Sequence, residues 1–219
     1  MPEDIFVEKL SHLDTCAVSD ALDSLGIQGA ALGIKQVSVA KKITGRAITV
    51  KLTSKDSAPP SSRHLGTAAV EAASHGDVIV VEHGRTDVAG WGGNLSVAAS
   101  QKGISGIIID GALRDVDEMW SLQFPAYAAS AVPVTARGRI AEESCNEPIT
   151  VAGIDVKPND LVIADRSGVV FIPEKIAKEV IDKAEEIMKK EEKMAQSIRQ
   201  GVPVSSVMGK NYETMLQEE

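Results

Sequence analysis

Two stretches of this sequence carry residues whose types and spacing could do chemistry. The first is Asp110-Gly111-Ala112-Leu113-Arg114-Asp115. The Ile107-Ile108-Ile109 run before it reads as a buried strand. The hexapeptide therefore falls at a strand's C-terminal end, where open α/β sheets place their ligands. Arg beside Asp offers a fork for a carboxylate and an oxygen donor for a hard divalent cation. The same residues also suit a salt-bridged surface turn in which Asp115 caps a helix. The second stretch is Gly90-Trp91-Gly92-Gly93-Asn94-Leu95-Ser96. Glycines that open a helix let a ligand reach unpaired backbone N–H groups, which makes an anion site; a plain tight turn has the same composition. It is no dinucleotide fingerprint, because Leu95 stands where G-x-G-x-x-G needs its last glycine. Nor is it a Walker loop, since no Gly-Lys-Ser/Thr follows.

Other constellations are missing. The sequence contains no G-x-S-x-G, no H-E-x-x-H and no Cys/His cluster. His12, His64, His75 and His83 share no ligand spacing and read as structural or solvent-exposed. Cys16 and Cys145 form no C-x-x-C pair and read as two reduced thiols. Lys51 falls on the polar face of its strand, without the apolar setting that activates a Schiff-base lysine. The Lys-Lys-Glu-Glu-Lys run around Lys190 reads as a solvated helix face.

The elements that must position the two stretches follow from periodicity. Residues 15–25 read as a helix, capped by Asp14 or Thr15 and ended by Gly26. Residues 37–43 and 46–52 read as two strands separated by Thr44-Gly45. A loop over 54–63, with Pro59-Pro60, leads into a helix over 64–74. Residues 77–82 form a buried strand, 94–102 a helix and 104–110 a second buried strand: a βαβ unit, so part of the sheet is parallel. Short β segments with turns occupy 124–173. A long amphipathic helix then runs from Ile176 to about Gln200, with Val180, Ala184, Ile187 and Met188 on its apolar face. The fold class is mixed α/β with helices on both sides of β structure.

Composition sets the remaining bounds. Hydrophobic residues make up 43% of the 219 and aromatics only 3%, so Val, Ile, Leu and Ala must build the core. Lys plus Arg number 23 against 31 Asp plus Glu, a net charge of −8. That leaves neither the basic footprint nor the stacking surface of a nucleic-acid binder. The start, MPEDIFVEKL, is too charged for a signal peptide, and no apolar run approaches the roughly 18 residues of a membrane span. The expectation is one soluble, cytoplasmic domain over 1–219, with 1–14 and 202–219 as peripheral tails.

Together, the two stretches in GGNLSVAASQKGISGIIIDGALRD resemble the core of the RraA-like family. There a glycine-led helix, a buried strand and an Asp-Gly-x-x-Arg-Asp turn follow in this order. AVSDALDSLGI, ITGRAITV, HGDVIVVE, FPAYAASAVPVTARGR and VKPNDLVIADRSGVVFIP fall where the family has counterparts, so the resemblance covers most of the chain. It implies a compact αββα sandwich like the phosphohistidine swivelling domain, assembled as homotrimers or hexamers with sites between subunits. Two functions follow from it. The family's enzymes are metal-dependent pyruvate aldolases, typified by 4-hydroxy-4-methyl-2-oxoglutarate aldolase, which also decarboxylate oxaloacetate. A second branch binds and inhibits ribonuclease E without chemistry.

The resemblance also implies roles by position. Arg114 holds the 2-keto acid, and Asp115 ligates Mg²⁺ or Mn²⁺ largely alongside waters. Gly93, Asn94, Leu95 and Ser96 form the substrate wall, where the N–H groups of Leu95 and Ser96 receive the pyruvyl carboxylate. Asp20 matches an acid that poises a catalytic water. Glu191 matches a second acid, contributed by the neighbouring subunit, with Glu192 as the alternative register. These roles suit the chemistry, because breaking a C–C bond beside a 2-keto acid leaves an enolate. A chelated metal is its electron sink, Arg114 adds positive charge, and acids around a water move the proton. One position departs from the pattern: Asn94 stands where the aldolases carry Asp or Glu, and an amide takes up no proton at neutral pH. The Arg-Asp pair points the other way, because the regulators often lack its acidic half. The leading expectation is a metal-dependent lyase; the alternative is a non-catalytic ribonuclease-binding regulator.

Overall fold

Val78–Glu82 and Gly106–Leu113 consist almost wholly of aliphatic and small residues, and strands without a polar face must be covered on both sides. In the computed structural model, which describes residues 4–58 and 63–209, they pair in parallel as β3 and β4 at the centre of a mixed sheet. The other strands are β1 (Lys35–Gln36), β2 (Ile43–Ser54), β5 (Ala126–Ala131), β6 (Ile140–Cys145), β9 (Leu161–Ala164) and β10 (Val169–Ile172). Their order is β1-β5-β4-β3-β2-β9-β10, with β6 also on β2. Pairs β2–β3, β3–β4 and β4–β5 are parallel, so the expected βαβ unit is present. Residues 29–31 run along the outer edge of β10, where Ala31 N–H donates to the Val169 carbonyl at 2.9 Å. Shortly afterwards the same chain pairs as β1 with β5 at the opposite edge. The sheet is therefore nearly closed on itself.

Side chains alternate between the two faces of each strand, and that alternation sorts the core. Val78, Val80, Ile108, Val162 and Phe171 point inward and pack with Tyr127. Ile79, Val81, Ile107 and Ile109 point outward, beneath α3 (Thr67–Ala72), α4 (Gly93–Gln101) and α5 (Val116–Ser121). Leu161, Ile163, Val170 and Ile172 face α1 (Ile5–Ser11), α2 (Thr15–Ser24) and α6 (Ala177–Arg199). A hairpin, β7 (Ile149–Val151) and β8 (Ile154–Val156), covers the inner face. Two carboxylates on that face pin it. Glu82 accepts from Thr150 N–H at 2.7 Å and Asp110 from Ala152 N–H at 2.8 Å.

Three expectations change. Residues 37–43 and 46–52 are not two strands about a turn; Ile43 to Ser54 is one strand of 12 residues. Gly45 is there for close approach, because a Cβ would run into the Gly76 carbonyl and Val78. The helix expected over 64–74 is confined to α3, since Gly66 in the left-handed region (φ 77°) delays its start. The stretch 1–14, read as a peripheral tail, contributes the buried Leu10 and Leu13 to the core beneath α6. Residues 1–3, and 59–62 of the expected loop, lie outside the described residues. Of the other tail, 202–209 holds a short helix, α7 (Val204–Val207), with no buried residue. The remainder, 210–219, lies outside the described residues. The long C-terminal helix stands as read, with Val180, Ala184 and Ile187 buried. No helix among the described residues is long and apolar enough to cross a membrane.

Leu10 separates core from tail. Leu10→Ala is expected to cost about 2–5 kcal/mol in denaturant unfolding, as a buried leucine does. A loss within about 0.5 kcal/mol, typical of a surface change, would return α1 to the periphery.

Candidate functional site

The two glycine-rich stretches meet because β4 changes register between Ile109 and Ala112. Beyond that shift, residues 89–91 lie alongside the strand like a further partner. Gly90 N–H donates to the Ala112 carbonyl at 2.8 Å, and Arg114 N–H donates to the Trp91 carbonyl at 3.0 Å. The buried Trp91 anchors this crossing, its Nε1–H donating to Ser96 Oγ at 2.9 Å. Helix α4 starts directly afterwards.

Asp115 ends the turn in the left-handed region at φ 61° and immediately precedes α5. It makes no side-chain cap on its own helix. Instead Asp115 Oδ2 accepts from the Gly93 N–H at 2.9 Å and lies 3.3 Å from Arg114 Nε. Glu118, one turn into α5, lies over Gly93, where any Cβ would run into its carboxylate.

The start of α4 leaves N–H groups without intrahelical acceptors. Gly93 N–H is taken by Asp115, whereas those of Asn94 and Leu95 make no hydrogen bond among the described residues. Ser96 is different from its expected role. Its N–H donates to the Gly92 carbonyl at 3.1 Å, and its buried hydroxyl is held by Trp91 and the same carbonyl. The donors free for an anion are therefore Asn94 and Leu95.

These groups border one cavity of about 490 Å³. Gly93, Asn94, Leu95, Arg114 and Asp115, all singled out in the sequence, line it together with Glu118, Thr135, Arg137 and His64. Sequence reasoning missed Glu118 and Arg137. The i, i+3 spacing of Asp115 and Glu118 at a helix start was a usable signal. Arg137 lies in a loop whose course no local pattern gives. Among the described residues no group of three or more His, Cys, Asp or Glu could hold a metal ion. A cation here would rest on Asp115, whose Oδ1 makes no hydrogen bond or ion pair among them.

Asp20 and Glu191 lie elsewhere in the chain. Asp20 borders a cavity of about 310 Å³ with Cys16, Ser19 and Leu32, which shares no residue with the first. Burial, then the charges of Asp23 and Asp14, push the Asp20 carboxyl above its usual range. Burial, then Asp20 and Asp14, do the same to Glu191. Glu191 thus feels the charge of Asp20, and neither acid lines the cavity that Arg114 borders.

The RraA-like model, described as Aldolase/RraA, matches residues 15–171. The chain belongs to the RraA-like family. An RraA-like relative from Halalkalibacterium halodurans, provisionally named 4-hydroxy-4-methyl-2-oxoglutarate aldolase, is 28% identical over 198 residues, covering 90% of each chain. Protein DlpA of Legionella pneumophila is 28% identical over 197 residues. That match takes in 89% of this chain but only 32% of DlpA, so the chain spans about a third of that relative. Among solved structures, Streptomyces coelicolor RraAS2 superposes with a TM-score of 0.75 at 26% identity. It is described as an unusual member of the RNase ES inhibitor RraA protein family, and the match covers 87% of this chain and 96% of that one. RraA-like proteins thus carry both aldolase and inhibitor names.

The acid pair makes a prediction with a definite sign. A carboxyl raised in the folded state binds its proton more tightly than in the unfolded chain, so stability falls as pH rises from the unfolded value through the folded one. Asp20→Asn removes one repelling charge. By NMR titration Glu191 is expected to move down toward 4.5, with the variant more stable than the parent above that pH. An unmoved Glu191 would place the two acids out of electrostatic reach.

Proposed function

We propose that this protein is a divalent-metal-dependent lyase that releases pyruvate from short 2-keto acids, as an aldolase, an oxaloacetate decarboxylase or both. The observation that carries this reading is the convergence of Arg114, Asp115 and the free Asn94 and Leu95 N–H groups on one cavity. The donor chemistry suits the cation: the hard carboxylate oxygen of Asp115 fits Mg²⁺ or Mn²⁺ completed by water. Such a cation supplies an electron sink for the enolate that C–C cleavage leaves. The two N–H groups and the α4 dipole receive the pyruvyl carboxylate. Arg114, steadied by Asp115, places positive charge where the enolate oxygen develops. The Asp115–Gly93 hydrogen bond holds both halves of the site in register before substrate arrives.

Proton transfer divides the two reactions. Retro-aldol cleavage removes a proton from a substrate hydroxyl and so needs a base; decarboxylation starts from an ionised carboxylate and needs chiefly the sink. Asn94 cannot be that base. Glu118, over Gly93, is the carboxylate best placed to serve beside it. Asp20 and Glu191 would join from a neighbouring copy, which places the site between subunits of a trimer or hexamer. Exposed apolar residues favour such assembly: Leu32, 81% exposed, stands beside Asp20, while Ile198, Val202, Val204 and Met208 follow Glu191. The inhibitor reading draws on one specific observation, the amide at Asn94, and on the RNase ES inhibitor family named for RraAS2.

A panel of 2-keto acids assayed for pyruvate tests this reading. Release is expected with Mg²⁺ or Mn²⁺ and not in excess EDTA, with oxaloacetate faster than 4-hydroxy-2-keto acids. Asp115→Ala should abolish it while leaving the circular dichroism spectrum intact. A well-placed base contributes roughly 10²–10⁴-fold, so Asn94→Asp should raise aldol cleavage relative to decarboxylation. Full activity in EDTA would remove the metal, and no release from any substrate would favour the inhibitor. Light scattering should find a trimer or hexamer; a fully active monomer would exclude Asp20 and Glu191 from the chemistry.

A further inference from the structure

The cavity holds one more cation than a monocarboxylate needs. Arg114 is paired with Asp115, whereas the Arg137 guanidinium, on another wall, makes no ion pair or hydrogen bond among the described residues. The loop that carries it is well fixed. Val132 N–H donates to the Leu113 carbonyl at 2.9 Å, and the Val134 carbonyl accepts from Ala89 N–H at 2.9 Å. Arg137's own N–H donates to Thr135 Oγ1 at 3.2 Å, and a turn closes behind it from Arg139 N–H to the Ala136 carbonyl at 2.8 Å. The loop is therefore tied to the very strands that carry the site, β4 on one side and the 89–91 crossing on the other.

We infer that Arg137 is the specificity-determining residue of this cavity and receives the second carboxylate of a dicarboxylic 2-keto acid. The inference rests on the lyase reading and assigns the residue that reads the far end of its substrate. With the pyruvyl carboxylate on the Asn94 and Leu95 N–H groups beside Arg114, the far end of the substrate points across the cavity. A neutral or apolar end gains nothing from a guanidinium there. A carboxylate end gains a charge-assisted, planar, two-pronged contact that lysine reproduces only in part. In a chain with 31 acidic residues against 23 basic ones, leaving this guanidinium facing a cavity without an acidic partner keeps it free for an anion.

Calorimetric titration of the Mg²⁺-loaded protein with pyruvate and with 2-oxoglutarate, which carry one and two carboxylates, tests the assignment without turnover. The parent protein should prefer 2-oxoglutarate. Arg137→Gln should shrink that preference by about ten- to a hundredfold, the range of one hydrogen-bonded charge, and Arg137→Lys should retain part of it. Arg137 is exposed, and matched thermal unfolding of the variants will show that folding is intact. Pyruvate binding without a preference for the diacid, or a preference that survives Arg137→Gln, overturns the role of Arg137 and leaves the lyase reading standing. Failure of the parent protein to bind either keto acid overturns the lyase reading, and this inference with it.

Discussion

The hydrogen bond from Gly93 N–H to the Asp115 carboxylate joins two segments 22 residues apart. Everything in the cavity depends on it. One partner opens α4 and so fixes the direction of the free Asn94 and Leu95 N–H groups. The other follows β4 and holds Arg114 at its side. A charge-assisted bond to a backbone N–H is among the stronger kinds, and this one sits at a helix N-terminus whose dipole favours the anion. The same bond uses one carboxylate oxygen and leaves the second free. One side chain thus ties the architecture and still presents an open oxygen to the cavity.

The nearly closed sheet explains why one chain holds two separate places of interest. Helices α3–α5 cover one part of the outer surface and α1, α2 and α6 another, each over its own core. Arg114 belongs to the first part, Asp20 and Glu191 to the second. The cavities that Arg114 and Asp20 border share no residue.

Much of this was legible in the sequence, for identifiable reasons. The β3-α4-β4 unit declared itself through aliphatic runs separated by a glycine-led helix, and α6 through its long apolar stripe. Arg114, Asp115 and the α4 start were readable because a strand end and a helix start are locally encoded. Gly45 misled because a glycine required for close approach looks the same in sequence as one required for a turn. Leu10 misled because its neighbours are charged, and only its packing beneath α6 shows which side it turns inward. Ser96 lost its role because its N–H is already spent on the Gly92 carbonyl, while the buried Trp91 indole holds its hydroxyl. Arg137 was invisible, since its place depends on two long-range backbone bonds rather than on any local pattern.

The pinning of the β7–β8 hairpin by Glu82 and Asp110 changes how the Asp-Gly-x-x-Arg-Asp motif should be interpreted. Its first aspartate points to the interior and fastens a hairpin; its last faces the cavity. The two carry different obligations although they share one short signature. Mutagenesis that treats the motif as a unit would conflate them: inactivity on losing Asp110 would report a dislodged hairpin, not a missing reagent. For the same reason, transplanting only the turn into another scaffold would import an acid whose partner is Ala152, more than forty residues downstream.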